Sequence, residues 1–331
     1  MKKIVNDPES VVQDMLDGLI SAHPDSLQLL PETTVVVRKD APITNKVSIV
    51  SGGGSGHEPA HAGYIGDGML DAAVCGEMFT SPTPDQVFES IKAVDGGAGV
   101  FLVIKNYTGD VMNFEMAAEL AEAEGIQVEK VIVNDDVAVE DSSFTTGRRG
   151  IAGTIFVHKI AGAKAAAGGS IEEVKSVAEK VVANVRSMGM ALTPCTVPAA
   201  GKPSFTLEEN EMEIGTGIHG EPGIERKPIA SASAIAEELT DKILEDIKFN
   251  SGDDVAVMIN GMGATPEMEL YILNKKVNQM LTDRGLTIHK TFVGDYMTSL
   301  EMAGCSITLL KLDDELKTLL DAESSAPAFR I

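Results

Sequence analysis

Three short stretches concentrate the residues able to do chemistry. In residues 51–63, SGGGSGHEPAHAG, the glycines Gly52, Gly53, Gly54 and Gly56 run into His57, Glu58 and His61. Such a backbone can take positive φ and approach a ligand closely, so that several N–H groups converge on one oxygen. It is not a nucleotide loop. A P-loop needs G-x-x-x-x-G-K-[ST], with a lysine for the phosphates and a hydroxyl for magnesium. His57, directly after the glycines, suits acid–base work near neutral pH. His57 and His61 stand four apart, a spacing comparable to H-E-x-x-H, and would share one face of a helix there. Proline inside H-E-P-A-H is tolerated in a first turn, but no third ligand is evident. The reading is therefore no metal on this chain, with a structural His61.

Residues 105–110, KNYTGD, offer a cation and a carboxylate in Lys105 and Asp110. Spacing alone favours a solvated turn with aspartate as a helix cap. The functional alternative is a carboxylate base near a hydroxyl, tuned by the cation. Residues 215–223, GTGIHGEPG, echo the first stretch with H-G-E-P against H-E-P. Glycines leave the imidazole of His219 the access that a nucleophile needs, while Ile218 is read as core. A lone histidine is by itself a weak sign of a site. The string TTGRRGIAG could meet a phosphate through Arg148 or Arg149, or pair them with carboxylates.

Alternating strand-like and helix-like segments must position these residues. VVQDMLDGLI puts Val12, Met15, Leu16, Leu19 and Ile20 on one helical face. TTVVVR, KVSIV, AGVFLVI and VEKVIV read as strands, and NFEMAAELAEAEG as a helix closed by Gly125. In SIEEVKSVAEKVVANVRSMG, Ser170 and Glu173 form a capping box, Val181, Val182 and Val185 join the apolar face, and Gly189 ends the helix. A proline-rich crossover, PCTVPAAGKPSF, leads to a second alternating pattern. MEIGTGI is expected as a strand ending just before His219, followed by DVAVMIN, a helix opened by Thr265 as N-cap with Pro266 first, and LTIHKTFV. This predicts an α/β fold of two domains, 1–187 and 188–331, each a sheet flanked by helices. The glycine turn after Val50 and the KNYTGD loop after Ile104 would then both lie beyond carboxyl ends of strands, lining one crevice.

Composition narrows the setting. The 331 residues carry a formal net charge of −23. That field disfavours nucleic acid and anionic membranes as partners. The start, MKKIVNDPESVVQDM, has no uninterrupted apolar run of the kind a secretory signal needs, and no stretch is long enough to span a bilayer. Cys75, Cys195 and Cys305 are scattered and odd in number, which reads as small buried hydrophobes in a reducing cytoplasm.

Taken together, SGGGSGHEPAHAGYIG, GEMFTSPTPDQVF, VIKNYTGDVMNFEMA, FTTGRRGIAGT, TVPAAGKPSF, GIHGEPGIERKPI, NGMGATPEMELY and SLEMAGCSITLLKLD closely resemble the K subunit of the dihydroxyacetone kinases, in that family's order and over most of the chain. The resemblance implies a homodimeric two-domain α/β subunit. It implies that dihydroxyacetone is bound covalently, as a hemiaminal, by the histidine of G-I-H-G-E-P-G, here His219. The family's glycine-rich loop lies at the substrate, which carries over to Gly54, Ser55, Gly56 and His57, with His57 as acid or base. The lysine and aspartate of K-N-Y-T-G-D, here Lys105 and Asp110, contact the substrate, and the aspartate is the base for its hydroxyl. The chain ends at Ile331 without the nucleotide-binding domain of single-chain members. The resemblance thus implies no cofactor on this chain, ADP/ATP with magnesium on a partner L subunit, and an M protein of the phosphotransferase system that recharges it from phosphoenolpyruvate. The alternative is a non-catalytic paralogue that binds dihydroxyacetone and acts as a transcriptional co-activator partner.

Overall fold

A computed structural model describes residues 2–140 and 146–331. Phe144 and Thr145, which open the FTTGRRGIAGT stretch, lie outside the described residues. Two six-stranded sheets organise the chain. The first contains β1 (Leu27–Leu29), β2 (Val35–Arg38), β3 (Ser48–Ser55), β4 (Ala72–Met78), β5 (Val100–Lys105) and β6 (Val128–Val133), in the order β1-β2-β4-β3-β5-β6. The central strand β3 runs parallel to β4 and β5, and β5 parallel to β6.

Alternation of side chains along these strands builds two interiors. Val35, Val37, Val100, Leu102 and Ile104 point to α2 (Pro84–Val94) and α3 (Thr108–Ala123), which follow α1 (Val11–Ala22) in the chain. Val36, Phe101 and Val103 point the other way, into a larger core with α1, α4 (Thr154–Ala166) and α5 (Ile171–Asn184). Val12 and Leu16 carry the apolar face of α1 into that core. The capping box of α5 is formed as expected: Ser170 Oγ accepts from the Glu173 N–H, and the Glu173 carboxylate accepts from the Ser170 N–H.

The second sheet has the order β11-β10-β12-β7-β8-β9. Its strands are β7 (Val185–Ala191), β8 (Glu211–Ile214), β9 (Glu225–Pro228), β10 (Asp254–Gly261), β11 (Thr287–Gly294) and β12 (Gly304–Leu312). Among the described residues of this sheet, β10 and β11 pair in parallel and the other neighbouring strands antiparallel. One face packs on α6 (Ala232–Asp246) and α7 (Glu267–Asp283). From the other, Ala256, Met258 and Leu310 join the larger core together with α8 (Asp314–Asp321). Helix α5 touches both β6 and β12, so the sheets share an interior. No described helix is long and apolar enough to cross a membrane.

Four local expectations are corrected. The glycines after Val50 do not form a turn: β3 continues through Ser55, because Gly52 pairs with Val74 so closely that a Cβ there would lie 2.4 Å from the Val74 oxygen. Gly189 does not end α5. The helix stops at Asn184, and Val185 and Gly189 belong to β7, where β-branched Val185 pairs with Leu310 of β12. The strand before His219 ends at Ile214, so His219 sits on a loop that begins with Gly215 at φ +79°. Pro266, not Thr265, is the N-cap of α7. The Thr265 hydroxyl is taken by Gly304, donating to its oxygen and accepting from its N–H.

A buried carboxylate ties the sheets beside the site. Asp135 accepts from the N–H groups of Ile151 and Gly153, both at 2.8 Å, and from the Ser187 hydroxyl of β7. Burial raises its pKa, against the pull of these donors. Asp135→Ala strands three buried donors and should lower unfolding free energy by about 3 kcal/mol in urea melts at pH 7. Asp135→Asn, which keeps one acceptor, should lose less. A loss under ~1 kcal/mol for the alanine variant would contradict this role.

Candidate active site

The glycine strand, the β5–α3 junction and the loop after β8 converge on one cleft of about 480 Å³. Gly54, Phe79, Tyr107, Asp110, Asn113 and His219 line it. Asp110 lies in the first turn of α3, where the helix dipole favours a carboxylate. The loop between β5 and α3 is only Asn106 and Tyr107, since Lys105 is the last residue of β5.

His219 is positioned by a residue that the sequence reading did not single out. Glu221 accepts twice from it: Oε2 from the His219 N–H at 2.8 Å and Oε1 from the ring Nδ1 at 3.2 Å. A carboxylate can only accept, so the proton is on Nδ1 and the lone pair on Nε2. Burial opposes ionisation of Glu221, but His219 and the Arg149 guanidinium outweigh it and hold the carboxyl down at about 2. Gly217 is required here. A Cβ on it would meet Glu221 Oε2 at 2.2 Å and Arg149 Nη1 at 2.7 Å. Ile218 is buried in the large core, as read from the sequence, and anchors the loop.

The ring of His57 stands edge-on to that of His219, with centroids 4.7 Å apart, and stacks on Phe79 at 5.1 Å. Its Nδ1 donates to the Thr298 oxygen at 2.9 Å. That leaves a lone pair on Nε2, which is buried and meets no partner among the described residues. Burial first, with the Lys105 ammonium nearby, pushes the pKa of His57 well below the usual histidine value. The ring is neutral, with a fixed tautomer. Tyr107 packs edge-on against His219 at 4.4 Å.

The remaining residues behave differently. Gly54 lines the cleft, and Gly56 takes φ +106° under the Phe79 ring. Ser55 spends its hydroxyl on the Gly76 oxygen at 2.7 Å. Lys105 is wholly buried beneath β3. Gly53, at φ +147°, makes room for it, since a Cβ would lie 2.3 Å from Lys105 Nζ. Lys105 Nζ donates to Asp110 Oδ2 at 3.3 Å.

His57 and His61 do not share a helical face. Residues 58–61 form a turn, and His61 points to His158 and Lys105 instead. An ammonium 3.2 Å from His61 Nε2 is hostile to a cation, and among the described residues no group of three or more His, Cys, Asp or Glu could hold a metal ion. Arg148 pairs with Asp246, and Arg149 with Asp136 and the Gly215 oxygen, which leaves the phosphate reading of these arginines without support. Of the residues missed, Glu221 had a signal, its place two after His219 in H-G-E. Phe79, at φ +57°, had none.

The fold and site define an α/β protein in which an imidazole, its tautomer fixed by Glu221, shares a cleft with the carboxylate of Asp110. The family model described as the Dak1 domain matches residues 17–328, and the chain belongs to this family. It is 58% identical over 315 residues to the dihydroxyacetone-binding subunit DhaK of PTS-dependent dihydroxyacetone kinase 1 from Listeria innocua, covering 95% of each chain. The dihydroxyacetone kinase of C. freundii, solved with AMP-PNP and Mg2+, superposes with a TM-score of 0.92 at 38% identity, covering 99% of this chain and 61% of that one. A dihydroxyacetone kinase operon co-activator, Dha-DhaQ, superposes with a TM-score of 0.90 at 38% identity, covering 95% and 97% of the two chains.

The buried histidines set a pH limit on stability. His57 and His61 are pushed well below the usual histidine value, and His158 to about 3, in each case by burial first. In the unfolded chain all three protonate near pH 6.5. The unfolded state therefore binds more protons below that pH, so stability is full above it and lost as pH falls toward the folded values. Each ring contributes up to about 1.4 kcal/mol per pH unit. Urea melts should weaken steeply between pH 6.5 and 5, because three rings outweigh the opposite effect of Asp136, which burial raises to about 6 and which takes up its proton in the fold over the same interval. A flat profile over that interval would contradict neutral, buried rings.

Proposed function

We propose that this chain is the dihydroxyacetone-binding subunit of a multi-subunit dihydroxyacetone kinase. The observation that carries the reading is His219, with Nδ1–H held by Glu221 and Nε2 left bare, lining the same cleft as Asp110. A neutral triose offers no charge to grip, and a covalent bond supplies what contacts cannot. Nε2 adds to the ketone carbon, the carbonyl oxygen takes a proton from solvent, and the imidazolium is compensated by Glu221. Only a carbonyl compound can react so, which rejects glycerol where a size-based pocket would discriminate poorly. His57 Nε2 can accept a hydrogen bond from the adduct, and Gly54, Ser55 and Gly56 supply backbone close to it.

Asp110 then takes the proton of the terminal hydroxyl as its oxygen attacks the terminal phosphorus of ATP. The bond from that phosphorus to the bridging oxygen breaks, leaving ADP; the hemiaminal hydroxyl then returns its proton to solvent, the C–Nε2 bond breaks as the ketone re-forms, and dihydroxyacetone phosphate leaves a neutral His219. The nucleotide and magnesium sit on a partner L subunit, recharged through an M protein from phosphoenolpyruvate, and this chain works as a cytoplasmic homodimer. The relative from Listeria innocua, named as a dihydroxyacetone-binding subunit and matched along 95% of both chains, supports this division of labour. A co-activator shares the fold, so fold alone does not choose between catalysis and sensing. The buried base, Asp110, favours catalysis, since a sensor has no use for one.

Reconstitution with a nucleotide-loaded L subunit tests the reading. Asp110→Asn should lower turnover by ~10²–10⁴-fold while dihydroxyacetone still binds. Glu221→Gln puts an amide N–H where one of two acceptors was, and should weaken dihydroxyacetone binding about tenfold. Parent-like turnover in Asp110→Asn, or no dihydroxyacetone phosphate from the parent, would overturn the assignment.

A further inference from the structure

The Lys105 ammonium has three hydrogens, and three acceptors surround it: Gly52 O at 3.1 Å, Asp110 Oδ2 at 3.3 Å and His61 Nε2 at 3.2 Å. The first is backbone of β3 and the second is the base. The third belongs to a side chain with no place in the reaction described so far. Proton positions follow from the donors. An ammonium cannot accept, so His61 Nε2 carries the lone pair and the proton is on Nδ1. That proton goes to His158 Nε2 at 2.9 Å. His158 must then keep its own proton on Nδ1, which is buried and meets no partner among the described residues. Lys105, His61 and His158 thus form a chain of donors pointing one way, from β5 through the turn after β3 into α4.

Such a chain is costly. A buried donor without a partner loses about 1–3 kcal/mol, and His158 stands where its neighbours on α4, Phe156, Val157 and Ile160, are apolar. A hydrophobic residue there would be the more stable choice. What the pair supplies is direction. A lysine is a point charge on a flexible four-carbon stem, and two acceptors leave it a swing that a third removes. We propose that His61 and His158 are positioning residues of the phosphoryl transfer: a neutral, tautomer-locked pair that aims the Lys105 ammonium at Asp110 Oδ2 and so fixes the carboxylate against the substrate hydroxyl. The inference rests on Asp110 being the base. Burial, followed for each ring by the charge of Lys105, keeps both rings neutral, with His57 the other titratable group facing His61 and Tyr64 packed on His158.

The test uses the full chain with the nucleotide-loaded L subunit. His61→Leu removes the acceptor, His61→Gln keeps one, and His158→Phe removes the group that holds His61 in register. Binding is read from 2-13C-dihydroxyacetone by NMR, and turnover from product. We expect His61→Leu to bind dihydroxyacetone within about twofold of the parent while turnover falls ~10–100-fold. His61→Gln should recover most of the loss, and His158→Phe should show a smaller fall of the same kind. Unchanged turnover in His61→Leu overturns the proposal. So does an equal loss of binding and turnover that His61→Gln does not repair, which would mark a merely structural pair. Ring 15N spectra of the parent serve even where a variant fails to fold. Both histidines should be neutral with Nδ1–H, and a proton on either Nε2 overturns the pair. An inactive parent with those tautomers would refute the kinase reading, and with it the positioning role, but not the hydrogen-bonded chain.

Discussion

The site depends on which ring nitrogen of each histidine carries a proton. An imidazole attacks only through a bare nitrogen, and an acceptor bound to the other nitrogen chooses it. Glu221 makes that choice for His219, the Thr298 oxygen for His57, and Lys105, from the opposite direction, for His61. None of the three can be satisfied the other way round, because a carboxylate and a carbonyl cannot donate and an ammonium cannot accept. The fold serves these contacts. The loop after β8 carries Glu221 within reach of His219, and the Thr298 carbonyl comes from the segment between β11 and β12, far from His57 in sequence.

Burial is the second constraint. Among the described residues the interior beneath the cleft holds Lys105, Asp110, His57, His61 and His158 almost without solvent. Charges there are tolerable only in pairs. Lys105 faces Asp110, and Arg149 faces Asp136, whose carboxyl is raised by burial to about 6 despite the guanidinium. The glycines make this density possible. At Gly53 and Gly217 a single methyl group would occupy the place of Lys105 Nζ or of the Glu221 carboxylate.

Much of this was legible in the sequence, and the reasons for the rest are physical. Apolar periodicity located α1, α5 and most strands, and a capping box is a local pattern that needs no tertiary information. The glycine stretch was misread as a turn, because glycine has low strand propensity, and only its neighbour β4, pressed against Gly52, explains why it extends. The tail of α5 was misread for the converse reason: Val185 fits a helical face as well as a strand, and the partner that decides is Leu310, far along the chain. His57 stood out by type and surroundings, whereas Asp110 and His219 gave weak local signals and were singled out only through the family resemblance. Lys105 beneath β3 and the His61–His158 contact could not stand out, since residues 61 and 158 meet only through the packing of α4 on the first sheet.

The central claim is that Glu221 leaves Nε2 of His219 as the attacking atom. A crystal of the parent chain soaked in dihydroxyacetone tests it most directly. The account predicts continuous density from His219 Nε2 to the central carbon of the triose, with Nδ1 still against Glu221. Density joined at Nδ1, or a separate ligand in the cleft with no bond to the ring, would contradict it.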